Sequence, residues 1–167
     1  GMLGYAILSC ANVRQALNLG LKYHVLIDPA FNFEVIDQGE LTSVRLTSHI
    51  PIESIYNFLC DVFLSNFVSL GRFLTGLDIS PKTININRSK PDFSEQFEQF
   101  FAGIPISWDQ SRTELVFDSS LLDAPTTLAD EATAKMAESQ CAEILARMGP
   151  REGIVVKVGR ILLSNPG

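Results

Sequence analysis

The chain has 167 residues, enough for one domain with a sizeable core, since at about 150 residues folding buries roughly two thirds of the unfolded surface. Thirteen Lys and Arg against nineteen Asp and Glu give a net charge of -6, and no stretch gathers the positive residues. That excludes this piece as a strong nucleic-acid binder, because phosphate contacts need clustered Lys and Arg.

The opening "LGYAILSC" is apolar from its third residue, and Gly1-Met2 in front of it reads as an expression scar. From Asn12, a candidate N-cap, the recurrence of Val13, Leu17, Leu21 and Val25 at spacing four predicts a helix that Asp28-Pro29 ends. The period then switches to two. Phe31, Phe33 and Val35 share one strand face, Asp37-Gln38-Gly39-Glu40 supplies a turn, and Val44 and Leu46 share a face of the return strand, which together predict a β-hairpin.

Pro51 opens the most apolar helix, in which Ile52, Ile55, Tyr56, Leu59, Val62, Phe63, Phe67, Leu70, Phe73 and Leu74 step by three and four up to Gly76. Its polar stripe is narrow, so it is expected to be the central buried helix. The uncharged stretch between Asp61 and Arg72 is shorter than the roughly 20 residues a bilayer crossing needs, and no membrane span is expected. After Pro81, Ile84 and Ile86 alternate with Asn85 and Asn87 as a third strand. Asp92 and Glu95 form a candidate capping box before Phe93, Phe97, Phe100 and Phe101, and Gly103 stops that short helix.

"IPISW" and "TELVF" read as two further short strands around the polar turn "DQSR". The last clear helix places Ala137, Cys141, Ile144, Leu145 and Met148 on one face, with Gly149-Pro150 as its stop. The final segment fits a strand by its β-branched residues and a helix by the spacing of Val155, Val158 and Leu162. The predicted class is α+β: an antiparallel sheet of four or five strands packed against the long central helix and flanking helices. No repeat or linker divides the chain, so residues 1–167 are read as a single domain.

Chemistry-bearing motifs are scarce. Cys10, Cys60 and Cys141 are far apart, odd in number and without metal spacing, as reduced thiols of a cytosolic protein are. With two His residues and no Gly-rich phosphate loop, nucleophile elbow or paired His, neither catalysis nor a cofactor is expected. His24 and His49 each lack a second imidazole, which favours structural roles. Asp118 and Asp123 suit turn capping; Glu95, Glu98, Glu138 and Glu143 suit solvated helix faces. Arg45 and Arg72 are the basic residues most embedded in apolar pattern, and an inward-facing Arg would need an anion, such as a ligand carboxylate.

The order of "LGYAILSCANVRQALNLGLKYHVLI", the hairpin, the long apolar helix, Phe97-x-x-Phe100-Phe101 with Pro105 and Trp108, and Leu115-x-Phe117 with Leu121-Leu122-Asp123-x-Pro125 resembles a known family. It is similar to the ligand-sensing, arabinose-binding region of AraC-type transcription regulators, in the subgroup of ornithine-utilisation and virulence regulators. The resemblance runs from Leu3 to Gly167. It implies a cytoplasmic sensor that binds a small effector, forms a homodimer and reaches DNA only through a helix-turn-helix domain that follows residues 151–167. A fainter similarity, to haem-based nitric oxide sensor domains, would put a His near His24, but the Tyr-x-Ser-x-Arg haem grip is missing. Pattern and geometry nominate Phe33, Tyr56 and Phe63 as apolar walls of a ligand site between hairpin and long helix, and Arg45, His24 and Trp108 as its polar contacts. The alternatives are a pure dimerisation module and a small enzyme of unrecognised type.

Overall fold

In the computed structural model, which describes residues 1–27, 31–48 and 53–148, the apolar opening segment is a helix, α1 (Met2–Leu8), that no sequence pattern announced. α2 (Val13–Tyr23) follows, and the Asn12 side chain accepts a hydrogen bond from the Gln15 N–H at 2.9 Å, the N-cap expected from sequence. Val25 falls beyond α2, in a 3-10 turn over His24–Leu26. β1 (Phe31–Asp37) and β2 (Leu41–Ser48) form the predicted hairpin, with Phe33 opposite Leu46 and Val35 opposite Val44. Gly39 in its turn has φ 82°, a left-handed value that a side chain disfavours.

Next come α3 (Glu53–Thr75), β3 (Thr83–Asn85), α4 (Ser94–Phe100), β4 (Ile106–Ser107), β5 (Thr113–Asp118), a 3-10 turn over Ser119–Asp123, and α5 (Glu131–Met148). The five strands make one sheet in the order β1-β2-β5-β3-β4. The class is α+β as expected, and the one departure is that the sheet is mixed rather than wholly antiparallel. β4 and β5 do not pair; β5 lies antiparallel between β2 and β3, and β4 runs parallel to β3 at the edge. The intervening turn, with Asp109 at φ 56°, carries the chain from one side of β3 to the other. Asp92 and Glu95 form no capping box either. α4 starts with Phe93 at the N-cap position, and the Ser94 N–H is already taken by the Pro91 carbonyl at 3.0 Å.

The larger correction concerns α3, which buries one face rather than its whole girth. Cys60, Leu64 and Val68, at spacing four, are 2, 0 and 4% exposed. Leu64 and Val68 join Ile84, Ile86 and Leu115 of the sheet side with Phe101, while Cys60 packs with Phe31 and Leu46 of the hairpin. On the other side Ile55, Phe58, Val62, Leu70 and Phe73 are exposed. The physical reason is coverage: the sheet is a single layer on one side of α3, and a helix with only a narrow polar stripe carries little sign of which apolar stripe faces it. By length and composition Ile55–Thr75 is apolar enough to cross a bilayer, but its Cys60–Leu64–Val68 stripe is packed on strands, as in a domain core.

α1, α2 and α5 form a further group, in which Leu3, Tyr23 and Cys141 are buried together. Ala137 and Cys141 bury the predicted α5 face, whereas Ile144 is exposed. The proposed helix ends at Asp28-Pro29, Pro51 and Gly149-Pro150, His49, and the strand-or-helix segment after residue 150 lie outside the described residues. Truncating Leu64 to Ala is expected to cost about 2–5 kcal/mol of unfolding free energy in urea, because it empties the α3–sheet contact. Phe58→Ala on the opposite face is expected to change stability by about 0.5 kcal/mol or less. Equal losses would mean that the buried stripe is assigned wrongly.

Candidate functional site

Side chains alternate across each strand, so the register that turns Val44, Leu46 and Leu115 toward the helices sends Arg45 and Glu114 to the opposite face of the sheet. Glu34, Arg45, Glu114 and Asn85 stand opposite one another on β1, β2, β5 and β3, forming a polar row across four strands. Arg45 Nη1 donates to Glu34 at 3.3 Å, its Nε and Nη2 donate to Glu114 at 3.3 Å, and Asn85 Nδ2 donates to the other Glu114 oxygen at 3.1 Å. Arg45 therefore has its anions within the protein. Arg45 and Glu114 are each 16% exposed, which gives that pair more weight than the exposed Glu34 contact.

At the end of this row the sheet opens into a cleft of about 450 Å³. Arg45 and Tyr56 both line it, together with Glu34, Asn87, Ser111 and Arg112, and Thr47, Ser48 and Thr113 complete the wall. Ligand pockets are commonly about 300–1,000 Å³ and place a few polar groups convergently. Among the described residues Arg112 makes no ion pair, in contrast to Arg45. The sequence reading missed Arg112 because an Arg in a polar turn carries no periodicity; only the register of β5 against β2 and β3 brings it beside Tyr56 and Asn87.

The other nominated residues lie elsewhere. Phe33 and Phe63 are in contact, with ring centroids 4.8 Å apart, and continue through Phe67 to Phe117 at 5.6 and 6.4 Å. The space between hairpin and α3 is thus filled by aromatic rings. His24 meets Phe33 edge-on at 5.0 Å, and its Nδ1 and Nε2 lie 2.6 and 2.9 Å from the carbonyl oxygens of Leu21 and Phe31. The ring staples the end of α2 to β1, and with both nitrogens at backbone carbonyls it does not fit the role of an iron ligand. Trp108, just after the edge strand β4, packs against the α3–sheet core beside Phe97 at 5.5 Å, with its Nε1–H donated to Glu98 at 3.1 Å. Beside it the Arg88 guanidinium lies 5.4 Å from the Trp108 ring and donates to both Asp61 oxygens at 2.8 and 3.0 Å. Burial pushes the Asp61 carboxyl up, and Arg88 opposes that shift. Lys90 and then Trp108 hold Glu98 below its ordinary range.

Tyr56 links the cleft to the core. Burial, with the Cys60 thiol beside it, pushes the Tyr56 hydroxyl up to about 12 from 10.0, and burial pushes Cys60 up to about 11 from 9.0. Both groups are raised, so the folded chain holds their protons where the unfolded chain loses them. The associated stability is complete below about pH 9 and is lost as pH rises toward 12. Urea unfolding followed across that window should show stability falling, and Tyr56→Phe with Cys60→Ala should flatten the fall. An unchanged slope in the double variant would contradict the assignment.

Comparison with known proteins agrees with this architecture. The N-terminal arabinose-binding domain of AraC transcription regulators matches residues 1–126. The ornithine utilization regulator of Pseudomonas aeruginosa is 29% identical over 167 residues, all of this chain and 49% of that protein. An HTH-type transcriptional regulator of Mycobacterium tuberculosis is 20% identical over 172 residues, again with all of this chain and 49% of the relative. The crystal structure of the transcriptional regulator CdpR from Pseudomonas aeruginosa superposes with a TM-score of 0.69 at 17% identity, covering 82% of this chain and 44% of that one, which supports the fold. The chain spans about half the length of the curated relatives it matches. With the family's domain matching residues 1–126, about three quarters of this chain, the chain belongs to the arabinose-binding N-terminal domains of AraC-type transcription regulators.

Proposed function

We propose that this domain senses a small polar effector and thereby sets how a helix-turn-helix domain, carried elsewhere in the full regulator, engages DNA in the bacterial cytoplasm. The observation that supports it most is Arg112: a guanidinium without an ion pair among the described residues, lining an open cleft beside hydroxyl groups. A ligand carboxylate would find Arg112 with the hydroxyl of Ser111, and a ligand ammonium would find Glu34. Small amino acids carry both groups, and ornithine, in the name of the Pseudomonas aeruginosa relative, is one. Because the cleft joins residues of β2, β5 and α3, a ligand there favours the arrangement in which these elements are close, which shifts the population of regulator states. No catalytic step and no cofactor enter this reading.

A second reading, self-association into a homodimer, rests on the exposed side of α3. Ile55, Phe58, Val62 and Phe73 present an apolar stripe that no described element covers. The two readings are compatible and separable. In a thermal-shift screen against L-ornithine and other amino acids, a ligand at 100 times its Kd is expected to stabilise the wild-type chain by about 2.7 kcal/mol. Arg112→Ala, at an exposed turn, should fold normally and lose that stabilisation; retention of it would remove the cleft as the site. Light scattering on the same samples should give twice the chain mass, falling to one chain in Phe58→Asp. A monomer in both proteins would leave self-association without support.

A further inference from the structure

Two walls of the polar cleft come from distant parts of the chain: Tyr56 from α3, and Asn87, Ser111 and Arg112 from beside the end of β3 and the start of β5. The second wall is stitched together by its own backbone. The Asp109 N–H donates to the Arg88 carbonyl at 2.9 Å, the Gln110 N–H to the Ile86 carbonyl at 3.0 Å, and the Asn87 N–H to the Thr113 hydroxyl at 3.2 Å. Ser89 Oγ donates to Asp109 at 2.9 Å and helps to hold that residue at φ 56°, a left-handed value uncommon outside Gly. The turn that carries Arg112 is therefore tied to residues 86–89.

Arg88 fastens that segment to α3. Its Nη2 donates to both Asp61 oxygens at 2.8 and 3.0 Å, and its Nη1 donates at 3.2 Å to the carbonyl of Asn57, the residue after Tyr56. The guanidinium also lies 5.8 Å from the Phe97 ring and 5.4 Å from the ring of Trp108, which directly precedes the turn. The Arg88 and Asp61 side chains are 11 and 23% exposed, and theirs is the one ion pair from α3 to the sheet side among the described residues. A planar fork that meets a backbone carbonyl and a carboxylate together fixes angle as well as distance, which an ammonium does not. We propose that Arg88 is a positioning residue of the effector cleft: it sets the spacing between α3 and the Asp109–Arg112 turn, and with it the placement of Arg112 relative to Tyr56. The role rests on the cleft being the binding site, and goes beyond it in naming a residue that lines no part of the opening. Binding groups held in place before the ligand arrives lose less freedom when it binds.

The test compares amide exchange and ligand binding in the whole chain and in Arg88→Lys, which keeps the charge and removes the fork. The amides of Asp109 and Gln110 are expected to exchange about tenfold faster in the variant, while those of Leu64 and Leu115 stay within about twofold of the wild type. Asp61→Glu keeps both charges and moves the carboxylate by one methylene; it should loosen the same two amides, and it decides the point where Arg88→Lys folds poorly. L-ornithine, titrated against the emission of Trp108, the single tryptophan, is expected to bind Arg88→Lys about tenfold more weakly. Turn amides that keep wild-type rates in both variants, or that speed up only in step with Leu64 and Leu115, would overturn the inference, as would an unchanged Kd. A wild-type chain that binds no L-ornithine would remove ornithine as the effector, and the exchange rates would then decide the role of Arg88 by themselves.

Discussion

One contact constrains everything else: the Leu64–Val68 face of α3 lies on the Ile84–Leu115 centre of the sheet. Ile84, Leu115 and Leu64 are all 0% exposed, so this is where apolar surface is removed from water most completely. The sheet has one apolar side, and α3 is long enough, at about 1.5 Å per residue, to run across it. With that face satisfied, the opposite side of the sheet is left to polar pairs, and no described element covers the opposite side of the helix.

Both features with functional content follow from this one-sided packing. On the free side of the sheet, the Glu34–Arg45–Glu114–Asn85 row satisfies its charges internally and leads to a cleft whose remaining cation is Arg112. On the free side of α3, large apolar residues stand in a stripe without a partner among the described elements. The helices α1, α2 and α5 form a separate cluster around Tyr23 and Cys141, joined to the sheet through Leu17, Val44 and Phe117. A ligand that acts on α5 therefore has to act through that junction.

Much of the fold was legible from local pattern. Asn12 as a cap, the alternation in the hairpin and the strand at Ile84 are each set by a few neighbouring residues, and each formed where the pattern put it. The failures are non-local. Whether Cys60 or Phe58 faces the sheet depends on where the sheet lies, and a helix with apolar residues on both sides of a narrow polar stripe does not encode that. The insertion of β5 between β2 and β3 depends on long-range pairing, which two short strands around a turn do not specify. The same cause limited the site. Arg45 and Tyr56 were nominated and do meet at one cleft; Phe33, Phe63 and His24 pack among themselves; Trp108 belongs with Arg88 and Glu98. Arg112 carries no pattern at all, and register alone reveals it.

The central claim, that the α3–sheet contact is the cooperative core on which the cleft rests, is tested most directly by native-state amide hydrogen exchange. Local unfolding exposes amides at free energies from near zero up to that of global unfolding. The account predicts that amides of α3 around Leu64 and of β2 and β5 around Val44 and Leu115 exchange only through global unfolding, with α4 and β1 opening at lower cost. Exchange of the Leu64 turn as fast as that of α4, while the strands stay protected, would contradict it.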